Sequence, residues 1–160
     1  MSLSDELYRE TILDHYHNPR NQGVIDSATV EVEGVNPLCG DELTLYLDVD
    51  GNTIRDIKIK SRGCSINMAS GSMMTEVMHG HPLEQAEEFV KVFKDMMLNK
   101  DETIALPDDM EDLEALQGVK KYPVRIKCAL LPWNTLLEAI ETTRQEAAGA
   151  TVKGKTVTTE

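Results

Sequence analysis

No stretch of the chain approaches the roughly 20 consecutive apolar residues that a helix needs to cross a membrane. The first ten residues, MSLSDELYRE, lack the basic start and apolar core of a secretory signal, so the cytoplasm is the expected location. Basic charge is scarce. Sixteen Lys and Arg stand against 28 Asp and Glu, and the net charge of −12 argues against a nucleic-acid partner, whose phosphates need a basic face. Cysteine is scarce too. Three cysteines, an odd count, do not make a disulfide framework. Internal repeats and linker-like segments are absent, and 160 residues suit one domain with one core.

What is present alternates. Ser4–His17 reads as a helix, with Ser4 as its cap, Asp5 and Glu6 in its first turn, and Tyr8, Ile12, His15 and Tyr16 on one stripe. Asn18-Pro19 ends it. Strand signals follow: Val30 and Val32, then Leu43, Leu45, Leu47 and Val49, alternate with polar residues. Asp50-Gly51 marks a hairpin turn into a strand carrying Ile57 and Ile59. After Cys64 the period becomes helical. One helix carries Ala69, Met73 and Val77 and ends near Gly80; a second carries Leu83, Ala86, Val90, Phe93 and Met97. Residues 99–109 read as a polar loop, and Leu113 and Leu116 as a short helix stopped by Gly118. Trp133, Leu136, Leu137 and Ile140 belong to a last helix. The expected fold is α+β: a three-stranded antiparallel sheet packed with about five to six helices. The expected domain is residues 1–148, followed by a flexible tail over 149–160.

The cysteines fall at junctions between elements. Cys39 precedes the first hairpin strand, Cys64 stands between the last strand and a helix, and Cys128 is expected to open the last helix. A helix N-terminus carries partial positive charge and favours a thiolate, at Cys64 and Cys128 alike. Three thiolates and one carboxylate complete a tetrahedral zinc site, and Asp41 is the natural fourth ligand because Gly40 lets the chain turn between it and Cys39. Spacing alone does not single this out: separations of 25 and 64 residues match no short zinc-finger pattern. The four histidines (15, 17, 79 and 81) are expected in capping or surface roles rather than as ligands.

Four segments carry a resemblance. They are Asp14-His15-Tyr16-His17-Asn18-Pro19-Arg20-Asn21, Asn36-Pro37-Leu38-Cys39-Gly40-Asp41, Gly63-Cys64-Ser65-Ile66-Asn67-Met68-Ala69-Ser70, and the stretch from Leu113 to Val119 that leads into Arg125-Ile126-Lys127-Cys128-Ala129. Together they resemble the iron–sulfur cluster assembly family of IscU and the N-terminal domain of NifU, over about residues 4–146. Two departures from the IscU pattern resemble the SufU branch. Lys127 occupies the position where IscU proteins carry a histidine ligand, and residues 99–118 form an extra segment ahead of Cys128. A lysine ammonium has no lone pair for zinc.

The resemblance implies zinc held by Cys39, Asp41, Cys64 and Cys128, and a zinc-dependent sulfurtransferase activity. It implies a pyridoxal-phosphate cysteine desulfurase of SufS type as sulfur donor and a SufBCD-type scaffold downstream. In similar proteins a desulfurase histidine replaces one zinc ligand; the freed thiolate, here Cys39, then attacks the persulfide. Arg125, three residues ahead of Cys128, is placed to stabilise that thiolate. The alternative is a scaffold on which the same cysteines assemble a [2Fe–2S] cluster.

Overall fold

The computed structural model describes residues 3–99, 106–147 and 156–158. Helix α1 (Leu3–His17) is followed by strands β1 (Val30–Asn36), β2 (Asp41–Asp50) and β3 (Thr53–Arg62). Helices α2 (Ser65–Met78) and α3 (Leu83–Leu98), a 3-10 segment (Asp108–Lys121) and helix α4 (Pro123–Ala147) complete the domain. This is the α+β arrangement expected, with an antiparallel β1–β2–β3 sheet and five helical segments among the described residues.

The strands alternate because one sheet face is dry. Val32, Leu45, Leu47, Ile54, Ile57 and Ile59 are buried, while Glu31, Glu33 and Lys60 between them face outward. The β2–β3 hairpin closes through Gly51 at φ +64, in the left-handed region that glycine tolerates, and a bulge at Asp48/Val49 lets the strands twist. Helices α2 and α4 lie on the apolar face, α3 packs on α4, and α1 packs on α2 and the 3-10 segment. Met73, Met74 and Met78 of α2 are buried in the core, and Trp133 stacks on Phe93 at 4.1 Å between ring centroids. No helix among the described residues is long and apolar enough to cross a membrane.

Several expectations change. The short helix does not stop at Gly118; 3-10 turns run from Asp108 through Gly118 to Lys121, because Met110, Leu113, Leu116 and Val119 all find burial beneath them. Residues 100–105 of the expected polar loop lie outside the described residues. The last helix starts at Pro123, whose fixed φ and missing N–H suit a first helical position, so Cys128 sits in the second turn rather than opening the helix. His15 is neither a cap nor a surface residue: it is buried, with its Nδ1 2.7 Å from the Ser72 hydroxyl. Of the expected tail, Thr156–Thr158 pairs in parallel with β1 as a short fourth strand, β4; the remainder lies outside the described residues.

Candidate metal centre

Strands β1 and β2 are joined by four residues, Pro37 to Gly40, since Asn36 at the end of β1 pairs with Asp41 at the start of β2. The Cys39 amide donates back to the Asn36 carbonyl at 3.3 Å, and Gly40, at φ +69, returns the chain to the sheet. Cys39 therefore stands near the tip of a tight turn and Asp41 at its base. Asp41 is fully buried.

The second contribution comes from the β3–α2 junction. Cys64 is the N-cap of α2: its sulfur accepts the Asn67 amide at 3.5 Å, and its own amide donates to Asp41 Oδ1 at 2.8 Å. Gly63 makes that contact possible. It has φ +149, and a Cβ there would stand 2.3 Å from Asp41 Oδ1 and 2.9 Å from Asp41 Cα. The third contribution is the second turn of α4, which presents the buried Cys128 with its thiol toward the Val124 carbonyl at 3.6 Å.

These three pieces meet. Ligand atoms of Cys39, Asp41 and Cys128 all lie within 4.8 Å of one another, and the Cys64 sulfur is 3.9 Å from Asp41 Oδ2 at the edge of that group. All three cysteines are free thiols. The four residues expected from the sequence thus converge at one end of the sheet, with Cys64 the most peripheral because its sulfur also caps α2.

The electrostatics of the cluster call for a cation. Burial is the main cause that pushes the Cys128 thiol far above the ordinary range, and the neighbouring Cys39, Asp41 and Cys64 add to it. The group cannot all ionise side by side without a compensating positive charge. Arg125 supplies part of it from the first turn of α4: the Cys64 sulfur foremost, then Cys128, hold its proton more firmly than an ordinary arginine's. A divalent metal would supply the rest, and three sulfurs with one carboxylate form a donor set that suits zinc.

The sequence reading missed Asn36. Its side chain is fully buried and its Nδ2 lies 3.4 Å from Asp41 Oδ2 and 3.6 Å from Cys128 Sγ. The signal was available: Val30, Val32 and Gly34 face the core at alternate positions of β1, and Asn36 is next in that series.

One side of the centre opens to solvent. A groove of about 1170 Å³ runs between α1, the 3-10 segment and the start of α4, with Cys39 in its wall. Leu38, Tyr122 and Val124 border it and are 63%, 62% and 53% exposed, which is unusual for apolar side chains so close together. Arg125 lines the same groove.

Comparison with known proteins agrees with this architecture. The model of the NifU-like N terminal domain matches residues 7–129. The chain is 47% identical to the zinc-dependent sulfurtransferase SufU of Bacillus subtilis over 85% of its own length and 90% of that protein's. It is 36% identical to the iron–sulfur cluster assembly scaffold protein IscU of Thermotoga maritima, over 84% of this chain and 93% of that one. A crystal structure of an iron–sulfur cluster assembly scaffold protein for the SUF system from Fervidobacterium islandicum superposes with a TM-score of 0.77 at 37% identity, covering 86% of this chain and 98% of the other. The chain belongs to the family of NifU-like N-terminal domains.

Proposed function

We propose that this family member is a zinc-dependent sulfurtransferase that accepts persulfide sulfur from a cysteine desulfurase for iron–sulfur cluster assembly. The observation that carries the reading is an asymmetry in the cluster. Asp41 and Cys128 are fully buried and Cys39 and Cys64 are both half-buried, but of the four it is Cys39 that stands in the wall of the open groove. The 47% identity to a zinc-dependent sulfurtransferase supports it. Lys127 beside Cys128, where a scaffold of the IscU type would offer histidine, favours sulfur transfer over assembly of a [2Fe–2S] cluster at the same cysteines.

Zinc would be held by Cys39, Asp41, Cys64 and Cys128, and would keep the sulfurs deprotonated without redox chemistry of its own. The partner, a desulfurase of SufS type, docks over the exposed Leu38, Tyr122 and Val124, which border the groove and suit an apolar contact. Its persulfide then reaches Cys39. The Cys39 thiolate attacks the terminal sulfur; a new S–S bond forms on Cys39, the partner's S–S bond breaks, and the partner's cysteine leaves as thiolate. Arg125 lines the same groove and serves Cys64 and Cys128 in the closed cluster; once Cys39 is freed from the metal, the guanidinium is placed to turn to it and stabilise the negative charge on the attacking sulfur. The sulfur passes on in the cytoplasm to a scaffold of SufBCD type.

The test is Cys39→Ser mixed with a SufS-type desulfurase and free cysteine. Alanine production falls to the unstimulated rate, and mass spectrometry of the parent after brief turnover finds the added sulfur on the peptide containing Cys39. Added sulfur found mainly on the Cys128 peptide would reassign the acceptor.

A further inference from the structure

The donors around the cluster are not shared evenly among its members. The Cys64 amide donates to Asp41 Oδ1, and the Asn67 amide donates to the Cys64 sulfur. Arg125 serves Cys64 and Cys128. The Asn36 carboxamide reaches both Asp41 Oδ2 and Cys128 Sγ. Cys39 shares none of these donors.

Asn36 is distinctive among them. It is a side chain rather than a backbone group, it is fully buried, and it bridges two cluster members from different elements, the start of β2 and the second turn of α4. The carboxylate oxygen it faces can only accept, so the amide must present Nδ2 to the cluster. That leaves its Oδ1 buried without a partner among the described residues. A buried carbonyl left unpaired is unfavourable, so the orientation is imposed by the cluster rather than chosen for the amide's own sake.

We propose that Asn36 is a positioning residue of the metal centre: its carboxamide ties Asp41 and Cys128 into one retained unit, which leaves Cys39 as the ligand that is released. The inference rests on the reading of the cluster as a zinc centre. Three thiolates and a carboxylate around a divalent cation carry two negative charges in excess, in a largely dry site. Each N–H directed at a ligand atom stabilises that charge and fixes the ligand's orientation. Ligands so held stay, and the one without such support, on a turn facing the groove, is the cheapest to displace.

The test compares zinc-loaded parent, Asn36→Asp and Asn36→Ala. Asn36→Asp keeps the shape and removes the donor; Asn36→Ala removes the side chain. Zinc affinity is read by competition with a chromophoric chelator, and the thiols that escape the metal are read by limited alkylation and peptide mapping. The expected parent binds one zinc and is alkylated first at Cys39. Both variants lose about 10- to 100-fold in affinity, as outer-sphere partners of zinc ligands do, and their alkylation spreads to Cys128. Charge-transfer bands of the cobalt-substituted protein shift in the variants, a signature that a purely structural side chain would not move. Parent-like affinity with alkylation confined to Cys39 in Asn36→Asp would overturn the proposal. A parent that binds no zinc would instead remove the reading on which it rests.

Discussion

Two buried polar clusters lie along helix α2, and they are built to different ends. Around the middle of the helix the polar groups answer one another. The Ser72 hydroxyl accepts the Arg20 amide at 2.8 Å and contacts His15 at 2.7 Å, and Thr75 donates to the Ser72 carbonyl and accepts from Asn21. Ser70 donates to the Ala129 carbonyl at 2.6 Å and accepts the Trp133 indole N–H at 2.9 Å. At the N-terminal end of the same helix the matching is incomplete. Asn36 Oδ1 and both amide atoms of Asn67 are buried without partners among the described residues, beside thiols that crowd a carboxylate. Satisfied networks fix a fold; a crowded anionic cluster with a surplus of acceptors is completed by something that binds. The first cluster locks α1 and α4 onto α2, and the second gathers thiols and a carboxylate at the sheet end, a donor set that suits a cation.

The sharpest way to break that comparison is to remove a buried member of the second cluster. Cys128→Ser nearly preserves volume but replaces a soft sulfur donor, so zinc binding falls below detection by elemental analysis. The fold then loses the metal's contribution. With free zinc at 1,000 times its Kd that contribution is about 4 kcal/mol, or about 8 to 16 °C in Tm for a chain of this size. Calorimetry with and without a chelator measures it. Equal Tm for variant and parent in the presence of zinc would put the second cluster in the same class as the first.

A smaller effect is expected where no ligand is replaced. Gly63→Ala puts a Cβ against Asp41, in a backbone conformation that a side chain resists. The strain costs about 1–3 kcal/mol, and the displaced carboxylate weakens zinc binding about tenfold. Gly51→Ala is the matched control. It has the same sign of φ, with nothing within 4 Å of the added carbon, at the far end of the β2–β3 hairpin. It costs backbone strain alone and leaves the zinc affinity unchanged in a chelator titration. Equal zinc affinities for the two variants would mean that Gly63 serves the turn and not the site.

Much of this was legible in the chain itself. The strands followed from alternation, the hairpin from Asp50-Gly51, and the start of α2 from the change of period after Cys64. The candidate cluster residues were marked by their place at junctions between elements, and it was the resemblance of the segments that carry them, not their spacing, that singled them out. What was not legible depended on distance or on competing signals. Cys128 was expected to open α4 because the apolar period is clear only beyond it; Tyr122-Pro123 was the better mark, with proline at a first helical position. Gly118 reads as a stop, yet the burial of Leu116 and Val119 on either side carries the 3-10 turns through it. His15 lies on the stripe with Ile12, but its partner, Ser72, is 57 residues away and no local pattern announces it.

His15 offers the finest test of the first cluster. Burial is the main cause that lowers its pKa from the ordinary 6.5, and the Arg20 charge adds to it. Glu76, Asp14 and Asp112 pull the other way and do not cancel it. Glu76 Oε1, 3.6 Å from Nε2, can only accept, which assigns the neutral ring's proton to Nε2 and makes Nδ1 the acceptor of the Ser72 hydroxyl. A histidine that takes up its proton less readily when folded stabilises the fold fully above its unfolded pKa, about 6.5. That contribution is lost as the pH falls from there through the lowered folded value, since the unfolded chain then binds the extra proton. His15→Asn retains a polar atom near Nδ1 and cannot titrate. Urea midpoints measured from pH 8 to 5 should therefore fall less steeply for the variant than for the parent. Carboxylates and zinc ligands common to both proteins cancel in that difference. Parallel curves would mean that His15 protonates as freely in the fold as in the unfolded chain, and that the first cluster is less closed than its hydrogen bonds imply.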